Sequence, residues 1–293
     1  MKILFFMFMF FSTVIAFTLS DVRVNNFKVA NGKTALIEFN KSENIEYKSV
    51  EVGKKSFKIF ENPLDKSKDY VLIPFSYYEK AQNRTLYIKY KEHQKVKIEA
   101  ILLEVINGEY EKEEIHVDDS KVNPKSKAVK RRIAKEYTEA MKIYGTITPQ
   151  SYLNKKFIEP LNSKITSAFG KARVYNGSLK GYHSGTDFRA KMGTPIIAAN
   201  DGKIVLVEKR FYSGGTVIID HGEGIYTCYF HMSKFSVKEG IFVKRGEILG
   251  LSGKSGRVTG PHLHFSARIN KVQVDPLQLI SLMNNNLLKG KNK

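Results

Sequence analysis

Short runs of apolar, β-branched and aromatic residues, each five or six long and separated by turn residues, recur along most of this chain. Runs of that size and composition make strands rather than core helices, so a mainly β fold is expected. In the first half they are Thr34 to Phe39, Ser56 to Phe60, Tyr70 to Phe75, Thr85 to Tyr90 and Val96 to Ile101. The third and fifth alternate apolar with polar residues over part of their length, as half-buried strands do. Turn pairs such as Asn31-Gly32 and Asn107-Gly108 complete the pattern of a small β-sandwich or open barrel. The second half is richer in glycine, with expected strands at Thr194 to Ala199, Lys203 to Val207, Thr216 to Asp220 and Ile225 to Phe230.

One segment between the halves breaks this rhythm. Val129, Ile133, Tyr137, Met141 and Tyr144 recur at three- and four-residue spacing, which places them on one stripe of a helix from about Lys127 to Tyr144. Ser126 is suited to cap its start and Gly145 to stop it. The stripe is expected to pack against a domain, and the basic cluster Lys130-Arg131-Arg132 to be a solvated face. The polar stretch 119–126, with Asn123-Pro124, marks a boundary. The expected organisation is a signal over 1–16, a β domain over 17–122, a helical linker over 123–156, a β-rich domain over 157–282 and a loose basic tail over 283–293. A chain of 293 residues has room for two domains of ~100–200 residues.

Met1-Lys2 followed by the apolar stretch Ile3 to Phe17 reads as an export signal, too short for a spanning helix. Val14-Ile15-Ala16 offers a cleavage site after Ala16; an uncleaved anchor is the alternative. The single cysteine, Cys228, cannot close an internal disulfide, and its apolar run marks it as a buried small residue rather than a nucleophile. Export without disulfides fits a bacterial envelope protein, placed here in the periplasm. The net charge of +19 favours polyanionic surroundings. For an exported chain that means attraction to a wall polymer or membrane surface rather than to nucleic acid.

Five of the seven histidines fall between residues 183 and 264. His183 and Asp187 flank Gly185 in a bent loop and are either metal ligands or a surface histidine with a capping carboxylate. His262 and His264 alternate about Leu263, so in a strand both imidazoles reach one face, toward a metal or a reacting group. His231 follows an apolar strand and is structural or part of a site. His221, before a glycine turn, is read as structural. His93 and His116 lie on charged stretches and are read as surface residues. Taken together, the first five supply three ligands for zinc, an open position for water, and further proton-handling groups. A His-Glu-x-x-His helix is absent, so a histidine base is the natural substitute.

Several motifs between Phe157 and Ile280 resemble the LytM/lysostaphin-type zinc metallopeptidases. They are Ile165-Thr166-Ser167-Ala168-Phe169-Gly170, His183-x-Gly185-x-Asp187-Phe188, Gly193-Thr194-Pro195, Gly214-Gly215-Thr216-Val217-Ile218-Ile219-Asp220-His221-Gly222, His231-Met232-Ser233 and Thr259-Gly260-Pro261-His262-Leu263-His264-Phe265. The resemblance implies a LytM-type C-terminal domain with one zinc ion held by His183, Asp187 and His264. It implies His231 and His262 as the catalytic histidines, and Tyr212 as a support for the transition state. Arg173-Val174-Tyr175-Asn176-Gly177 is similar to exported Gram-negative-type members with an N-terminal β domain. Those imply a peptidoglycan D,D-endopeptidase, with D,D-carboxypeptidase activity as a companion, acting on peptidoglycan peptide stems. Two rivals remain: a catalytically silent regulator of a partner wall amidase, which the intact set of five disfavours, and a secreted nucleic-acid binder, which rests on charge alone. The N-terminal β domain is expected to pack over the cleft and restrict access to it.

Overall fold

The computed structural model describes residues 21–116 and 119–289 and is mainly β. The expected signal over 1–16 and the last four residues of the expected tail lie outside the described residues.

Two antiparallel-rich sheets make up the first half. One runs in the order Val22–Val24, Thr34–Asn40, Lys68–Pro74, Phe60–Glu61. The other runs Lys28–Ala30, Lys95–Ile106, Gln82–Glu92, Ile45–Val52, Lys55–Lys58. Ala35, Ile37, Phe39, Val71 and Ile73 of the first meet Val50, Leu86, Ile88 and Leu103 of the second in one sandwich core.

The first sheet is buried on both faces. Residues of the opposite parity, Leu36, Tyr70 and Leu72, belong to the core of the second half, with Phe188, Val217 and Phe265. Strand alternation therefore feeds two cores at once. The expectation that Tyr70 to Phe75 is half-buried is corrected here: Lys68–Pro74 has no solvent face because the second half covers it. Hydrogen bonds tie the same junction. Gln278 exchanges two bonds of 3.0 Å with the backbone of Thr34, and the Tyr70 hydroxyl donates to Glu223.

The strand Lys112–Ile115, here β1, leaves the sandwich and pairs in parallel with β3 (Ala172–Tyr175), which pairs with β4 (Ser178–Tyr182). Helix α1 spans Lys127–Tyr144, capped by the Ser126 side chain and ended at Gly145. Its C-terminal end packs Tyr144 with Ile218, Tyr226 and Cys228. Toward its middle the helix stands away from the sheet, so Tyr137 on the expected packing stripe is 66% exposed. Polar ties hold it there: Arg132 donates to the Lys209 carbonyl at 2.8 Å, and Glu136 accepts from the Phe211 backbone N–H.

The large sheet of the second half runs β2 (Ile165–Ser167), β5 (Thr186–Arg189), β9 (His262–Ile269), β8 (Ile225–Met232), β7 (Gly214–Asp220), β6 (Gly202–Arg210) and Phe242–Val243, with Val272–Val274 added beside β9. Its Val- and Ile-rich central strands are buried on both faces, as β7 is at every residue. The chain then enters helix α2 (Pro276–Asn285), capped by Asp275. Leu287 and Leu288 are buried in the main core. The loose tail expected from residue 283 therefore does not begin there, because these two leucines anchor the chain.

Candidate metal centre

Sheet register assembles the site. β5 and β9 pair with Asp187 opposite His264, and β8 lies on the other side of β9 with Phe230 opposite His264. His262 and His264, two residues apart on β9, point to the same face. His183 opens the turn that leads from β4 into β5. Gly185 lets this turn pass: a Cβ there would lie 2.3 Å from the Phe265 carbonyl oxygen and 2.6 Å from His264 Nε2.

Three ligand atoms converge. Asp187 Oδ1 lies 2.9 Å from His183 Nε2 and 2.8 Å from His264 Nδ1, and the two ring nitrogens are 3.0 Å apart. All three residues are buried. A tetrahedral zinc with bonds of 2.0–2.1 Å has ligand–ligand edges of about 3.3 Å, so the cluster needs only slight opening to hold such an ion. Among the described residues this is the one group of three or more His, Cys, Asp or Glu side chains with metal-holding geometry.

Backbone carbonyls fix the tautomers, because a carbonyl only accepts. His183 Nδ1 donates to the Ala168 oxygen at 2.8 Å, leaving Nε2 bare toward the cluster. His231 Nδ1 donates to Ser255 O at 2.8 Å, and His262 Nδ1 to Gly260 O at 2.9 Å. Both therefore present a bare Nε2, and their ring centroids are 4.8 Å apart. His231 has φ of +65°, an uncommon backbone state for a non-glycine residue, beside a register shift between β7 and β8. That bend aims its ring into the cleft. Phe230 stacks flat on His264 at 5.3 Å.

Burial sets the charges. It pulls His264 down to about 4, against the raising influence of the Asp187 carboxylate beside it. Burial, then the neighbouring His262 and His264, hold His231 well below its ordinary value. Burial opposes ionisation of Asp187, but the adjoining His183 and His264 side chains outweigh it and keep the carboxyl well below the usual range. The result is an ionised Asp187 beside a neutral His264, the protonation that metal ligation requires of each.

The structure brings together all five residues singled out by sequence, and Tyr212 lines the same cleft. His221 stands apart: it is fully buried, its Nδ1 donates to the Asp201 carbonyl, its Nε2 faces the Thr227 hydroxyl, and burial lowers it to about 4. Cys228 is buried beside the Tyr144 hydroxyl, with burial pushing its thiol up to about 11. His93 is exposed. His116 is exposed too, but it lies at the cleft wall with Glu113, Glu114 and Ile115 of the β1 region.

Sequence reasoning missed two arginines and a glutamate. Arg173 on β3 lies 3.3 Å from Asp187 Oδ2, the oxygen turned away from the imidazoles, and 3.1 Å from Glu113 Oε2. Glu113 also accepts from Ser167 Oγ. Asp187 is thereby held to one-oxygen presentation, and Arg173's charge is balanced by a carboxylate from the strand that leaves the sandwich. Arg173 was visible only as part of a family-like segment. Glu113 sits in a run of charges with no pattern, and Arg257 occupies an unassigned position in the Gly256-to-Thr259 stretch.

Residues 181–276 match the profile of Peptidase family M23. The chain is 44% identical over 109 residues to the peptidoglycan DD-endopeptidase ShyA of Vibrio cholerae, covering 36% of this chain and 25% of that one. It is 42% identical over 123 residues to the DD-carboxypeptidase/endopeptidase Mpg of Neisseria meningitidis, covering 42% and 28%. The chain thus spans only about a quarter of the length of these curated relatives. A crystal structure from Pseudomonas aeruginosa, described as a candidate M23 peptidase, superposes with a TM-score of 0.64 at 25% identity, over 86% of this chain and 94% of that one. That likeness takes in the first half as well as the second.

Proposed function

We propose that this chain, whose residues 181–276 form a domain of peptidase family M23, is a zinc-dependent peptidoglycan hydrolase of the periplasm that cuts D,D-peptide bonds in cross-links. The observation that carries it is the convergence of His183, Asp187 and His264 with two further histidines whose free nitrogens face the same cleft. The donor set of two imidazoles and a carboxylate suits zinc and leaves a fourth position open. Bound there, zinc would supply Lewis acidity and an acidified water.

The chain's own residues do the rest. His231 and His262 each keep Nδ1 on a backbone carbonyl, so Nε2 is free to take a proton from water or, once protonated, to donate to the developing oxyanion. His231, held well below its ordinary value by burial, is a ready acceptor. Tyr212 lines the cleft and supports the transition state from its side. The β1 region lines the opposite wall and narrows access to extended peptide stems.

Digestion of purified sacculi with the full chain, followed by mass identification of the muropeptides, tests this reading. Loss of cross-linked dimers, abolished by a chelator and restored by zinc, is the expected result. Intact dimers from a metal-loaded protein that stimulates a wall amidase would establish the regulator reading instead.

A further inference from the structure

Two arginines line the cleft, and they differ in what they are already bound to. Arg173 is matched by two carboxylates, Asp187 and Glu113. Arg257 has no carboxylate partner among the described residues. Its guanidinium instead lies between two aromatic faces, 4.4 Å from the Tyr175 ring centroid and 4.5 Å from that of Tyr212. Its backbone N–H donates to the Tyr212 carbonyl at 2.9 Å, which ties its loop to that wall.

Stacking between rings uses the two faces of a guanidinium and leaves the N–H edges in its plane free. An arginine so clamped has given up its rotamer freedom before any ligand arrives, and its edge is the fork that fits a carboxylate through two parallel bonds. The clamp has no role in holding the metal cluster. It sits on the wall of the cleft that holds the candidate ligands.

We infer that Arg257 is a specificity-determining residue that binds the free carboxylate next to the leaving nitrogen of the substrate. This rests on the function proposed above and deepens it. In a D,D-cross-link the leaving nitrogen belongs to a D-centre that carries a free carboxylate. In a terminal D-alanyl-D-alanine it belongs to an alanine with its own α-carboxylate. The endopeptidase and carboxypeptidase substrates thus share one anion, a single carbon from the leaving nitrogen, and one arginine can read both. Tyr175 and Tyr212 are positioning residues for that arginine.

The experiment compares the full-length zinc-loaded protein on two purified dimeric muropeptides, one with that carboxylate free and one with it amidated. Wild type is expected to favour the acid by about 10- to 100-fold in kcat/KM, the range of a charge-assisted hydrogen-bonded contact. Arg257→Gln should lose that factor, cleaving acid and amide at similar rates, and bind zinc as tightly as wild type. Arg257→Lys, which keeps the charge but not the fork, should retain part of the preference and serves if the glutamine variant does not fold. Equal wild-type rates on acid and amide, or an Arg257→Gln or Arg257→Lys protein slowed equally on both, would overturn the inference while leaving the hydrolase reading intact. Cleavage of neither substrate by wild type would remove the hydrolase reading and this inference with it.

Discussion

The two halves of this protein use the same material differently. The N-terminal sandwich puts its alternating strands to packing and buries few polar side chains, Thr34, Glu38 and Asn62 among them. The large C-terminal sheet spends buried positions on polar groups, with His183, Asp187, His231 and His264 all buried around one cleft. Burying so many ionisable groups is costly unless they find partners or an ion. The contrast indicates that the second half has given up stability for chemistry, and that the first half contributes by backing it.

The largest effects should fall on the chemical side. His264→Ala should lose bound zinc and reduce cross-link cleavage by about 10³-fold or more, read by metal analysis and muropeptide release. His231→Ala should keep the metal yet slow turnover by about 10²- to 10⁴-fold, as loss of a proton-transfer group does. Full cleavage by the His264 variant would sink the metal assignment.

On the packing side, Leu36→Ala should cost about 2–5 kcal/mol in chemical denaturation, since Leu36 is fully buried between the halves. Both halves should be destabilised together. If the sandwich alone weakened, the junction would matter less than its burial indicates.

Glu223 sharpens the same junction. It is hydrogen-bonded by Tyr70 of the first half, and burial raises its carboxyl to about 7 from the ordinary 4.5. Because the folded state holds this proton more tightly, its contribution is complete below about pH 4.5 and is lost as pH rises through about 7. The loss amounts to about 3 kcal/mol. Glu223→Gln should remove that part of the pH dependence, measured as the difference from wild type across pH 4 to 8.

The smallest effect should be at the crossing point. Glu113→Gln leaves Arg173 unbalanced beside Asp187, so zinc affinity should fall about tenfold in a chelator competition. Glu114→Gln, on the next residue of the same strand, should change it little. An unchanged affinity in the Glu113 variant would return the first half to a purely packing role.

Much of this was legible from sequence because its causes are local. The limits of α1 follow from a side-chain cap at Ser126 and a stop at Gly145. The strands follow from two-residue alternation, and so does the shared face of His262 and His264, whereas His183, Asp187 and His231 are joined to them through the resemblance to a known family. What sequence did not show depends on neighbours far along the chain. Nothing in Tyr70 to Phe75 says that a second core covers its other face. Periodicity put Tyr137 on a packing stripe but could not tell how closely the sheet approaches that turn. Glu113 and Arg257 are charged residues without pattern, and only their partners give them meaning.

The sheet of Thr34–Asn40 and Lys68–Pro74 has one more consequence. A layer with apolar side chains committed to both sides offers no slip plane, because sliding either half across it would uncover a core. Gating by a clam-like swing of the two halves is therefore disfavoured. Any opening of the cleft falls to a smaller element at its rim, and the β1 region, held to the C-terminal half by an edge pairing, is the part that can peel away without breaching either interior.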